Sequence, residues 1–198
     1  MAQNPNESEL KDRLELIENM LAAGRHKTQM WGWTFVLWGV AYYVAIAWSA
    51  YGNPALAWPV TMISAALLTG LVASRMRRHE AQTTISRAIS SIWISMGTSL
   101  FLLLVPLSAT HRVDAHISVA IVSAIIGTAN ATSGMILKWK MQIACAIVWW
   151  AASVAGCFGT ESQSSIVFLV AIFFCQIVFG IYAMVCESQR RQRGAVHA

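Results

Sequence analysis

Apolar side chains run almost unbroken through six stretches of the chain, and polar residues collect in the gaps between them. The stretches are Trp33–Tyr51, Ala55–Ser74, Ala88–Ala109, His116–Leu137, Met141–Phe158 and Ser165–Cys186. Each is near the length of about 20 residues that carries a helix across a hydrocarbon layer of about 30 Å. Between Lys27 and Arg75 lie 47 residues without a single Asp, Glu, Lys or Arg, room for two such crossings. Only helices and closed barrels satisfy every backbone group in lipid. The alternation of apolar and polar positions that a barrel strand needs is missing, which leaves helices. The pattern therefore predicts an all-α, polytopic membrane bundle of six transmembrane helices. Short connectors join them: Gly52-Asn53-Pro54, RMRRHEAQTTISR, THRVDAH, KWK and GTESQSS.

Ahead of the first span the period changes. Residues 6–27 read as a helix outside the hydrocarbon, with Asn6 and Glu9 spaced as in a capping box. Leu10, Leu14, Ile17 and Leu21 follow at spacings of four, three and four, a heptad seam that Leu16 and Met20 widen. The opposite face carries Glu9, Lys11, Asp12, Arg13, Glu15 and Glu18. From Glu7 to Glu18 there are five acids and two bases, a net of −3. A helix lying on anionic lipid is basic on its polar face, so this amphipathic helix is expected to face protein through its seam.

Composition sharpens the class. Apolar residues make up 57% and charged residues 12%, about half the charged fraction of ordinary soluble domains. The acidic start is not that of a cleaved signal peptide. Of the 14 Lys and Arg residues, thirteen fall in the amino-terminal region, the second–third loop, KWK and the tail, and Arg112 alone falls on the other side. That bias predicts cytoplasmic placement of both termini in an inner membrane. Trp31 and Trp33 are then expected at headgroup depth. Three regions result: 1–30 as a cytoplasmic helix and anchor, 31–187 as the transmembrane domain, and 188–198 as a basic tail. Cys145, Cys157, Cys175 and Cys186 form no CxxC and read as packing residues. Gly70, Gly134 and Gly180, each ahead of a basic exit, suggest three helical hairpins in tandem.

Candidate chemistry is sparse. No Gly-rich phosphate loop, GxSxG or HExxH occurs, no nucleophile–base set is visible, and no cofactor is implied. His111, Asp114 and His116 are a weak metal candidate, with a solvated connector as the plainer reading. The spans hold no ionisable Asp, Glu, Lys or Arg at mid-depth, which argues against proton-coupled transport. Ser91, Ser95 and Thr98 share one face of the third span, and Asn130 stands in the fourth. Such groups can line a polar path or bond across helices, and the second use is commoner. Ser123, Gly127 and Ala131 recur every four residues, a small-residue face that places the fourth span centrally or at an oligomer interface. The basic charge follows the orientation rule, so no nucleic-acid partner is called for.

The stretch LELIENMLAAGRHKTQMWGWTFVLWGVAYYV resembles the opening of a group of uncharacterised bacterial membrane proteins. These begin with a short cytoplasmic helix, a basic residue and a Leu-Trp-Gly first span. The matching residues here are Leu16, Ile17, Met20, Leu21, Arg25, Leu37, Trp38 and Gly39. The resemblance implies about six spans in a bacterial inner membrane and carries no activity to transfer. The functional expectation is a non-enzymatic protein whose partners are the lipid bilayer and either a cytoplasmic protein or a second copy, docked on Leu10, Leu14, Ile17 and Leu21. The alternative is a small facilitator with a neutral polar path along Ser91, Ser95, Thr98 and Asn130.

Overall fold

The structure, a computed structural model, describes residues 5–77, 83–110 and 114–196. It is 94% helix with no strand among the described residues, and six helices are long and apolar enough to cross a membrane. The elements are α1 (Pro5–Met30), α2 (Gly32–Tyr51), α3 (Pro54–Arg77), α4 (Thr84–Thr110), α5 (Ala115–Ile136), α6 (Lys140–Phe158), α7 (Glu161–Ile172) and α8 (Phe179–Val196). A π-helical segment, Phe173–Val178, joins α7 to α8 without a break.

Boundaries follow local chemistry. α1 takes in Asn6 and Glu9 within its first described turns. α7 starts at Glu161, earlier than hydropathy suggests, because Thr160 and Gln163 form a capping box. The Thr160 hydroxyl accepts from the Gln163 amide at 3.4 Å, and the Gln163 side chain accepts from the Thr160 amide at 3.0 Å. α5 ends in a Schellman turn. Trp139 N donates to Gly134 O at 2.8 Å, Lys138 N donates to Met135 O at 3.2 Å, and Lys138 takes φ 49°. A lysine in this left-handed region carries a strain that glycine would not.

The most extensive packing in the bundle is α5 on α6. A Cβ added at Gly134 would stand 3.0 Å from Ile143 N and 3.3 Å from Gln142 C. At Gly127 it would meet Trp149 Cβ at 3.2 Å, and at Gly156 it would meet the Ala120 backbone at 3.3 Å. Ala120 with Gly156, Gly127 with Trp149 and Gly134 with Gln142 thus step by seven on each antiparallel helix. This is a coiled-coil register in which small residues let the backbones close up. Ser153 Oγ donates across it to Ala120 O at 2.8 Å.

A second close contact ties α2 to the last helix. Added Cβ atoms at Gly32 and Gly180 would each meet the other's carbonyl, at 2.9 and 2.8 Å, and Gly39 lies against Gln176 Cβ at 3.0 Å. Aromatic rings bridge the two pairs. Trp149 meets Phe168, Phe168 meets Tyr42, and Phe179 meets both Phe35 and Trp139, with centroids 5.1–5.9 Å apart. α3 packs on α2, and α4 packs on α5 and α1. Gly70 has nothing within 4 Å, unlike Gly134 and Gly180, so the three hairpin glycines do not share one packing role.

The glycines yield a ranked test. Gly134→Ala forces two backbones apart and is expected to lower stability by about 1–3 kcal/mol, read from melting in detergent. Gly127→Ala is expected to cost less, since its nearest neighbour at 2.5 Å is the exposed Trp150 ring, which can swing outward. Gly70→Ala is expected to be neutral or to stabilise by up to about 1 kcal/mol through helix propensity. Equal losses at all three positions would contradict the packing scheme.

Candidate functional site

α1 divides into an anchored half and a free half. In the anchored half Leu21, Gly24 and Thr28 are buried on one stripe. A Cβ at Gly24 would touch Ile85 at 2.8 Å and Leu137 at 3.0 Å, so this stripe lies on the start of α4 and the end of α5. On the α8 side, His26 Nδ1 stands 2.7 Å from Glu187 Oε2. The Glu187 side chain is only 8% exposed, so the carboxylate is withdrawn from water and the imidazole supplies a partner. Trp31, at φ −90° and ψ 8°, breaks the path between α1 and α2.

The free half continues the same stripe with no cover among the described residues. Leu10, Leu14 and Ile17 are 59%, 54% and 52% exposed, against 9% for Leu21. Every residue from Glu9 to Met20 is exposed. Arg13 pairs with Glu9 at 2.6 Å along the helix, an exposed pair that contributes little. Where the two halves meet, a cleft is lined by Glu18, Asn19, Leu21, Ala22, Arg25 and Lys138. Arg25 Nε there is buried without a partner among the described residues.

The other sequence candidates are dispersed. Ser91, Ser95 and Thr98 are exposed on α4, while Ile89 and Leu100 on the same helix turn inward. Ser91 Oγ donates to Arg87 O of its own helix at 2.9 Å. Asn130 is buried at 1% exposure, so the structure does not bring it together with the α4 hydroxyls. Gly127 is buried against α6, and Ala131 and Ser123 are buried on the same helix. His111, like Arg112 and Arg78, lies outside the described residues. Asp114 is exposed ahead of α5 and His116 is half-buried. No group of three His, Cys, Asp or Glu able to hold a metal occurs among the described residues.

Sequence reasoning singled out Asn130, and Ser123 as a small residue, but not Gln142 or Trp149, which complete the polar interior. Asn130 Nδ2 donates to Ile126 O of its own helix at 3.0 Å, and Asn130 Oδ1 has no partner among the described residues. Ser123, Ser133, Gln142, Trp149 and Gln176 also place unpartnered polar atoms where no solvent reaches. The signal was present in the spacing: Ser123 and Asn130 differ by seven, as do Gln142 and Trp149, so each pair keeps one face of a supercoiled helix. Gln176 lies within the π-helical segment, a distortion frequent at functional positions. Compared with known protein families, curated proteins and solved structures, the chain matches none.

The two halves of α1 are expected to differ on mutation. Leu14→Asp and Ile17→Asp should each change stability by no more than about 0.5 kcal/mol, as surface substitutions do. Leu21→Ala should cost about 2–5 kcal/mol. His26→Ala should cost about 1–3 kcal/mol by removing a partner of a buried carboxylate and should speed tryptic cleavage at Arg25. Thermal melting and limited proteolysis in detergent read all four variants.

Proposed function

We propose that the protein is a non-enzymatic inner-membrane docking protein whose α1 arm takes up an apolar helix of a cytoplasmic partner. The observation that carries this reading is the α1 stripe, covered from Leu21 to Thr28 and bare from Leu10 to Ile17. An amphipathic helix gains from covering such a stripe in water, and helix-in-groove recognition uses anchors at this spacing. The base of the cleft offers Arg25 and Lys138 against the single acid Glu18, and this excess of base favours a partner helix with a carboxylate next to its apolar residues.

The membrane placement has two supports. Six helices have the length and apolarity of spans, and Val44, Leu67, Leu71, Leu102, Val154 and Ile166 turn outward from the bundle. The bias of Lys and Arg sets both termini in the cytoplasm. A second copy fits the seam less well than a soluble partner. The seam lies on the face of α1 that meets its own α4 and α5, so two arms facing each other in one bilayer would draw their bundles into overlap.

Two experiments test the reading. Cysteines placed at 112 and 191 should label from outside the cell and from the cytoplasm, respectively, and the reverse pattern would overturn the orientation. Leu14→Asp combined with Ile17→Asp should abolish crosslinking to a cytoplasmic protein while insertion and melting stay unchanged. Crosslinks that survive the double variant, or that join only two copies of the chain, would count against docking of a cytoplasmic protein on the seam.

A further inference from the structure

The unpartnered polar atoms of the core are ordered along the bundle. Ser133 Oγ, Asn130 Oδ1 and Ser123 Oγ stand on α5, and both polar atoms of the Gln142 amide and Trp149 Nε1 stand on α6. Ser123, Asn130, Ser133, Gln142 and Trp149 are each no more than 1% exposed. The α5–α6 register fixes their order. Gly134 lies against Gln142, which sets Gln142 beside Ser133, and Gly127 lies against Trp149, which sets Trp149 between Asn130 and Ser123. At about 1.5 Å per residue the successive levels Ser133, Asn130, Trp149 and Ser123 are roughly 4.5, 4.5 and 6 Å apart. Two hydrogen bonds through one small molecule span about 5.5 Å.

Packing glue would show bonds between helices, as Ser153 makes to Ala120 O. Among the described residues Asn130 instead bonds only its own helix, and neither polar atom of Gln142 has a partner. Buried polar atoms without partners are costly and are few in native folds. Among the described residues six of the twelve such side-chain atoms stand on α5 and α6, and these six are neutral.

We infer that this face of α5 and α6 is a file of hydrogen-bonding stations that passes water and small uncharged solutes of the urea class. Amide and hydroxyl stations offer both donors and acceptors, and no fixed charge selects an ion. Leu137, at 0% exposure, follows Asn130 by seven residues on the same face, past Ser133. It closes the file at the α1 end, where Gly24 packs on it. The inference uses the membrane placement above and is independent of the docking role of α1.

The test is stopped-flow light scattering on proteoliposomes, with water and urea as the two probes. Flotation and protease protection first establish that the protein spans the vesicle membrane, so that failure of the placement is seen separately. The parent or Leu137→Ala should exceed protein-free vesicles at least five-fold for one probe, with Leu137→Ala the faster. Asn130→Leu combined with Gln142→Leu should return the rate to that of protein-free vesicles. If this pair unfolds, Ser133→Val alone should lower the rate at least three-fold. Inserted parent and Leu137→Ala that both match protein-free vesicles for both probes would overturn the inference. So would a rate unchanged in folded Asn130→Leu/Gln142→Leu.

Discussion

The close approach of α5 to α6 is the constraint on which the rest of the bundle depends. In the proposed membrane placement helices gain little hydrophobic free energy by meeting, so association rests on dispersion contacts and interhelical hydrogen bonds. Dispersion is short-ranged, and a gap of even 1 Å forfeits much of it. Ala120, Gly127 and Gly134 remove the side-chain bulk that would hold the backbones apart. Once the two helices are that close, the large residues of α6 have to point elsewhere. Trp149 turns to the core, where it meets Phe168, and Trp150 turns out beside Gly127.

The same device recurs where α2 meets α8, with Gly32 facing Gly180. The aromatic layer then fills the space between two tight pairs. Tyr42 and Phe35 reach it from α2, Phe168 from α7, Phe179 from α8 and Trp139 from the start of α6. Of the two peripheral helices, α3 packs on α2 and α4 on α5 and α1. Many of their side chains turn outward, and these are almost entirely aliphatic or small. The core and its surroundings are therefore chemically alike over most of the fold. What separates inside from outside is side-chain size and polarity at a few positions.

That likeness explains what could and could not be read from the chain. The number of apolar helices follows from hydropathy alone, and the six expected segments correspond to six span-competent helices. The small-residue repeat on α5 was equally legible, since Ser123, Gly127 and Ala131 have to share a face of any helix. Burial was not legible for polar residues. In a soluble domain a row such as Ser91, Ser95 and Thr98 marks the wet face and Asn130 a special site, but in an apolar helix that contrast loses its reference. The structure leaves the serines outside and takes Asn130 inside, at odds with a single path through both. The π-helical segment left no mark in the sequence, because one inserted residue shifts the apolar pattern less than a run of apolar residues can reveal. The capping box at Thr160 and Gln163 could have been found, and finding it would have moved the start of that helix to Glu161.

The exposed stripe of α1 and the polar interior meet at one residue. Leu137 is fully buried, with Gly24 of α1 on one side and the α5 face that bears Ser133 and Asn130 behind it. Gly24 lacks a side chain because Leu137 and Ile85 already occupy that space. The anchored half of α1 is thus part of the packing that holds Leu137 in place. Displacing α1 has two local costs, separating His26 from Glu187 and uncovering Leu137. The proposed docking stripe and the proposed file thus adjoin at a single side chain, Leu137.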